Sequence, residues 1–282
     1  MSAAEAWADL HIHTVKSDGT FTVEKVFESA RQTGVSAIAI TDHDTVAGVE
    51  EALYCEKKYG VEFVPGVELS AIYNKREVHI IGLYVDWREP RFREKLARFQ
   101  KVRAERAKRI IKKLKEHGLN VKYEELYEMT ENMGNAGRLH IARLLVSKRL
   151  VRSIRDAFDR YLAEGRPAYV EKERVTVKEA IDMIRSVGGI SVLAHPALLQ
   201  KDEMIEKWAE TGLDGIEAYH PDHKGDVAEK YLKIAGQLGL LVSGGSDCHG
   251  SRGSHGRIGE IKLPHSDFEK IREKYRKAGE KR

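Results

Sequence analysis

Short apolar runs that each finish on a histidine or a carboxylate recur along the whole chain, and this recurrence restricts the fold more than any other feature. Residues 7–14 end in His11-Ile12-His13-Thr14, and 35–41 lead into Asp42-His43-Asp44. A third run, 61–70, carries Glu68, and 78–85 carries His79. Residues 190–194 lead to His195, 215–219 end near His220, and 240–243 run into Gly244-Gly245-Ser246-Asp247-Cys248-His249-Gly250. Helical periodicities separate most of these runs. One covers 23–33, with Val23, Val26, Phe27 and Ala30 on one face, Thr22 to cap it and Gly34 to stop it. Others cover about 46–59, 177–186 behind a Thr176/Glu179 capping box, 201–210, 226–238 and the polar tail from Asp267. Strand and helix in alternation, with polar groups where strands finish, predict a barrel or α/β sheet whose site lies at the strands' C-terminal ends.

The pattern breaks between residues 88 and 167. Here 88–116 read as one long helix, with Phe92, Leu96, Phe99, Ala107, Ile110 and Leu114 at helical spacing and Arg103 interrupting the stripe. Further helices are expected over 123–129, 138–150 and 153–162, and no strand is needed. The division is therefore a barrel from 1–87 and 168–282 and a helical insertion over 88–167. The run 88–116 holds thirteen Lys or Arg against four Glu. Most of that charge is a solvated face; an edge overhanging the barrel mouth would attract phosphate-rich chains.

In a strand, alternate side chains share a face, so His11 and His13 point the same way and offer one ion two nitrogens. The alternative is a half-buried strand that happens to carry two histidines. The full set is His11, His13, Asp18, His43, Glu68, His79, His195, Asp247 and His249. It contains imidazoles and carboxylates without thiolate, which suits Mn, Fe or Zn. Nine donors exceed the need of one tetrahedral ion and suggest two or three divalent ions sharing a bridging carboxylate. Such ions lower the pKa of bound water to about 7 and clamp the attacking and leaving oxygens of a displacement at phosphorus.

Asp-Leu-His-Ile-His-Thr, Ser-Asp-Gly-Thr, Thr-Asp-His-Asp, Gly-Val-Glu-Leu-Ser, Val-His-Ile-Ile-Gly, Leu-Ala-His-Pro and Gly-Ser-Asp-Cys-His-Gly resemble, in order, the motifs of the PHP (polymerase and histidinol phosphatase) family. The resemblance spans nearly the whole chain. It implies a distorted (β/α)7 TIM-like barrel with an inserted helical domain, and two or three metal ions, manganese first and iron or zinc as alternatives. By the same resemblance, His11, His13, Glu68 and Asp247 hold one ion; Glu68 bridges to a second held by His79 and His195; Asp18, His43 and His249 hold a third. Gly137-Arg138-Leu139-His140-Ile141-Ala142-Arg143, Ala157-Phe158-Asp159-Arg160-Tyr161-Leu162 and Pro167-Ala168-Tyr169-Val170 resemble the branch acting on nucleotides: RNase AM-like 5′-to-3′ exoribonucleases, nucleoside 3′,5′-bisphosphate phosphatases and AMP phosphatases. Typical members have Pro at the position of Leu139 and often Phe at that of Cys248; neither change removes a donor.

The expected activity is hydrolysis, by metal-bound hydroxide, of a nucleotide or of the 5′ end of a short RNA. Rival readings are a histidinol-phosphate phosphatase and a PHP module without activity. Arg138 and His140 are candidates to position the phosphate and take part in catalysis, because a guanidinium fork matches phosphate; the alternative is an exposed helix end. Arg103 either touches substrate or snorkels from a packed helix. Ser70 is a further substrate candidate. Asp44 is read as an orienting carboxylate, as a general acid or base, or as a turn residue. Asp18 lies in Ser-Asp-Gly, which is also an ordinary turn. His220 and His223 either contact substrate or belong to a surface loop. His117, His255 and His265 are read as surface residues, and Cys248 as packing.

The remaining expectations are exclusions. A chain of 282 residues with a net charge of +4 gives no argument for nucleic acid from bulk charge alone. Cys55 and Cys248 form no C-x-x-C pair, so a reducing compartment is the simple reading. No apolar run approaches a membrane span and the first seven residues lack a signal core, so a cytoplasmic protein without an obligate protein partner is expected.

Overall fold

Seven strands form the wall of a barrel in the computed structural model, which describes residues 6–74, 76–126, 136–171, 175–251 and 256–280. They are β1 (Trp7–Ile12), β2 (Ala37–Ile40), β3 (Glu62–Tyr73), β4 (Arg76–Leu83), β6 (Ile190–Leu193), β7 (Gly215–Tyr219) and β8 (Leu241–Gly244). Two short strands are added at the margins: β5 (Val175–Thr176) beside β3 and β9 (Leu263–Pro264) antiparallel to β1. The order across the wall is β8-β7-β6-β4-β3-β2-β1. A parallel bridge between Ile12 and Cys248 brings its two edges together, and the His13 N–H donates to Cys248 O at 3.0 Å. Only β4 runs against its neighbours in this wall. Six strands therefore present their C-terminal ends at one mouth, and β4 presents the N-terminal half that carries His79.

The local sequence explains these elements. The four residues of β2, Ala-Ile-Ala-Ile, are all buried, as expected of a parallel strand covered on both faces. Pro65 and Gly66 do not divide the third run: β3 continues through both for twelve residues. A Cβ on Gly66 would lie 2.8 Å from Ile40 O, so the close approach of β2 requires glycine there. Helices α1 (Val23–Thr33), α2 (Val49–Tyr59), α6 (Val177–Ser186), α7 (Glu203–Glu210), α8 (Val227–Leu238) and α9 (His265–Gly279) carry the apolar faces that cover this wall. In α1 the Thr22 side chain accepts from Lys25 N–H, and Gly34 ends the helix at φ 78°. The Thr176/Glu179 capping box of α6 is formed from both sides.

Residues 90–162 contain helices α3 (Pro90–Glu116), α4 (Arg138–Ser147) and α5 (Ile154–Ala157), and no strand among the described residues. Their packing is not divided at residue 88. Phe92 and Leu96 of α3 belong to the barrel's apolar core. Ala107, Ile110, Ile111 and Leu114 join a second core with Ile141, Leu145, Leu162 and Val170. One helix thus spans both cores. The helix expected over 123–129 is a single 3₁₀ turn at Glu124–Leu126, and 127–129 lie outside the described residues, as does His255. The helix expected over 153–162 is α5 followed by a π turn, Phe158–Leu162. No helix among the described residues is long and apolar enough to cross a membrane.

Candidate metal centre

The mouth of the barrel gathers all nine donors. His11 and His13 leave β1 on one face, as alternation requires, with their Nε2 atoms 3.2 Å apart. Gly245 lets the loop after β8 pass close to His11, since a Cβ there would lie 2.4 Å from His11 Cβ. His43 follows β2 and bridges to Glu68. His195 and Asp247, beyond β6 and β8, have φ values of 28° and 48°, and Asp44 has 53°. Side chains rarely adopt this backbone region, and such strain clusters at functional sites.

Glu68 is 1% exposed and lies at the centre. Its Oε2 is 3.5 Å from His11 Nε2, 3.1 Å from His13 Nε2 and 3.0 Å from His43 Nδ1. Yet this oxygen and His43 Nδ1 make no hydrogen bond of acceptable geometry. Asp247 Oδ1 stands 3.3 Å from His11 Nε2 and 3.2 Å from His13 Nε2. Five of the six separations among His11 Nε2, His13 Nε2, Glu68 Oε2 and Asp247 Oδ1 thus lie between 3.1 and 3.5 Å. Ligands about 2.1 Å from one tetrahedral ion would be about 3.4 Å apart. The residues fit a divalent ion, and the orphaned carboxylate oxygen is the observation that decides it.

Two further groups surround the first. Glu68 Oε1 lies 2.9 Å from His79 Nδ1 and 3.2 Å from His195 Nε2, and those nitrogens are 3.3 Å apart. Asp18 Oδ1 is 3.3 Å from His249 Nε2, and its Oδ2 is 3.9 Å from His43 Nε2. His13 also borders this third group, and His43 the second.

Burial alone would disfavour every charge here; opposite neighbours override it at Glu68, His13 and His79, whereas burial holds His43 down to about 3. The imidazoles of His43, His79 and His11 hold Glu68 well below the usual carboxylate range. Burial would depress His13, but Asp247 and Glu68 push it up to about 10. His79 is likewise carried past its burial, by Glu68 and Glu77, to about 9. These imidazoles hold protons at neutral pH that a metal must displace. Binding of a divalent ion at pH 7 is therefore expected to release at least one proton per protein. The affinity should rise with pH between 6 and 9. Titration calorimetry in buffers of different ionisation enthalpy measures both; a heat independent of buffer would contradict the assignment.

Several supporting groups went unnoticed in the sequence. Glu217, in the middle of β7, is completely buried. It accepts from His11 Nδ1–H at 3.0 Å and from the His195 backbone N–H at 2.7 Å. The signal was present as a lone carboxylate in Gly-Ile-Glu-Ala-Tyr, where burial demands a partner. Asp9 accepts from Ser246 N–H at 2.8 Å and Gly259 N–H at 3.2 Å, tying the loop after β8 to β1. Burial pushes its carboxyl up to about 6. Asp42 accepts from the Thr14 N–H and hydroxyl, both at 2.7 Å, and from the Ser17 hydroxyl at 2.5 Å. Arg143, on α4, donates to Asp18 O at 3.1 Å and ties the helical unit to a donor loop.

A cleft over the donors is lined by Asp18, His43, His79, Ser70, Arg103, Arg138 and His140. Arg103 is paired with Asp44, which also accepts from the Ser70 N–H at 2.9 Å. Asp44 thus turns towards α3. His140 Nδ1 accepts from Gly137 N–H at 3.3 Å, and burial lowers its pKa to about 4, so the ring is neutral. Arg138 stands 3.7 Å from Glu77, with the rings of Phe158 and Tyr169 each within 6 Å. His220 and His223 do not line this cleft and are buried rather than part of a surface loop. His220 Nδ1 accepts from Asp222 N–H, which turns its Nε2 towards Asp247 Oδ2 at 3.5 Å. His223 Nδ1 donates to Ala218 O at 2.8 Å, further from the donors. Cys248 is packed in the core, and His117 and His265 are exposed.

The chain is similar to known proteins over nearly its whole length. The family description "PHP domain" matches residues 9–279. A 3′,5′-nucleoside bisphosphate phosphatase of Chromobacterium violaceum is 32% identical over 86% of this chain and 86% of its own. A 5′-3′ exoribonuclease Rnm of Escherichia coli is 34% identical over 86% of this chain and 84% of its own. A phosphoribosyl 1,2-cyclic phosphate 1,2-diphosphodiesterase of Eggerthella lenta is 32% identical over 89% and 97%. A solved structure from Bifidobacterium adolescentis, described as a candidate metal-dependent phosphoesterase, superposes with a TM-score of 0.87 at 29% identity, covering 96% of this chain and 97% of that one.

Proposed function

This chain belongs to the PHP domain family and is a metal-dependent phosphoesterase, and we propose that it hydrolyses phosphate esters of nucleotides: mononucleotides, nucleoside 3′,5′-bisphosphates or the 5′ ends of short RNA. The single observation behind the chemistry is the cage of nitrogen and oxygen donors around Glu68. Divalent ions there supply a water activated at neutral pH and positive charge for the phosphoryl oxygens. We assign His11, His13, Glu68 and Asp247 to one ion, Glu68, His79 and His195 to a second, and Asp18, His43 and His249 to a third. Manganese is the proposed occupant, because the set mixes carboxylate oxygens with imidazoles; iron and zinc share part of that preference.

The chain's own side chains bind and orient the ester. Arg138 and Arg103 offer guanidinium groups to its phosphate, and neutral His140 offers an Nε2–H. Asp44 anchors Arg103, and Ser70 borders the same cleft. Glu217 fixes His11 and His195, and His220 stands beside Asp247. The helical unit forms one side of the cleft through Arg103, Arg106, Arg138, His140 and Phe158.

A phosphate-release panel with added Mn²⁺ tests this reading, using AMP, 3′,5′-bisphosphoadenosine, a 5′-phosphorylated oligoribonucleotide and histidinol phosphate. Metal-dependent release from one or more nucleotides is expected, with chelator abolishing it. Release from histidinol phosphate alone would assign the other substrate class. No release from any ester would leave a module without activity.

A further inference from the structure

A second cleft opens beside the first. Its walls carry Tyr169, Leu198 and Leu199, together with Arg76, Arg138, Glu77 and Glu164. The two clefts share Glu77 and Arg138. Glu77 Oε1 lies 3.4 Å from His79 Nε2, and its Oε2 lies 3.7 Å from Arg138. One side chain therefore marks the boundary between the donor cage and the second cleft. Leu198 follows His195 by three residues and is 55% exposed, one of few large apolar side chains left open among the described residues. Arg76 donates to Leu199 O at 3.2 Å, which ties the end of β4 to this wall.

The chemistry of the cleft differs from that of the donor cage. Its two arginines are matched by two glutamates, so it does not select for a second phosphate. Its apolar surface is a tyrosine ring and an exposed leucine, which suit a flat, uncharged heterocycle with polar edges. We infer that this cleft is a nucleobase subsite, holding the base of the nucleoside whose phosphate lies at the donor cage. This rests on the phosphoesterase reading above and deepens it. It makes the enzyme prefer nucleoside esters to sugar phosphates that lack a base, the kind of substrate named for the Eggerthella lenta relative.

The ratio of kcat/KM for AMP to that for ribose 5-phosphate, with Mn²⁺, tests the inference. In the wild-type enzyme the ratio is expected to be about tenfold or more. It should fall about fivefold to a hundredfold in Tyr169→Ala, the range for losing one aromatic stacking partner of a base, and also in Leu198→Asp. Leu198 is exposed, so its replacement leaves the folded core intact; circular dichroism checks both variants. A wild-type ratio near one, or a ratio unchanged in both variants, overturns the inference. Equilibrium binding of adenosine, which has no phosphate, is measured in parallel. If the wild-type enzyme hydrolyses neither ester, the phosphoesterase reading fails, and adenosine binding still decides the subsite: weakening by Leu198→Asp supports it, and no binding refutes it.

Discussion

Glu68→Gln is expected to lower Mn²⁺-dependent phosphate release by about a thousandfold, equivalent to roughly 4 kcal/mol of barrier. Five imidazoles face this carboxylate within 3.5 Å, three at Oε2 and two at Oε1. An amide replaces one of those oxygens with a donor that carries no negative charge, so two of the proposed ions lose their shared ligand together. Metal content should fall as well. Plasma mass spectrometry of the purified variant against the wild type reads it, while circular dichroism checks the fold. A variant that retained full metal and near-normal turnover would remove the basis for placing the chemistry at this residue.

The second large effect is expected at Glu217. Its oxygens accept from two different donors, a histidine ring and a backbone N–H, in a position without solvent. Glutamine can accept only one of these; its NH₂ then meets the other donor head-on. Loss of a carboxylate that orients a metal-binding histidine typically weakens metal affinity 10- to 100-fold. An unsatisfied buried donor also destabilises the fold by about 1–3 kcal/mol. Glu217→Gln should therefore show weaker manganese binding by calorimetry and a lower unfolding midpoint even with chelator present. The second readout separates the carboxylate's own hydrogen bonds from its effect through the ions. Unchanged affinity and unchanged midpoint would show that Glu217 merely occupies space.

Most of the donors were legible because they lie in or just after an apolar run, where histidine or carboxylate stands out against Val, Ile and Ala. The barrel was legible for a related reason: α1 and α6 announce their starts and faces in Thr22, Thr176 and the spacing of their apolar residues. What escaped was support supplied across the sheet. Glu217 reads as a polar lapse in β7 until β1 is seen beside the mouth, more than two hundred residues away in sequence. Asp9 is similar, since its partners Ser246 and Gly259 come from the other end of the chain. The histidines at 220 and 223 were ambiguous because a Pro-Asp sequence suggests a loop, whereas burial there is decided by Tyr231 and the ring of His11. The division at residue 88 reflected a change in composition, while α3 places Phe92 in one core and Ile110 in the other.

The bridge between Ile12 and Cys248 has a temporal consequence. A ribosome emits His11 and His13 more than two hundred residues before Asp247 and His249, and domains generally fold as units as they emerge. A nascent chain carrying the first two lacks the last two until more than two hundred further residues have been added. A chain interrupted between the two pairs is therefore left without Asp247 of the first proposed ion group and His249 of the third.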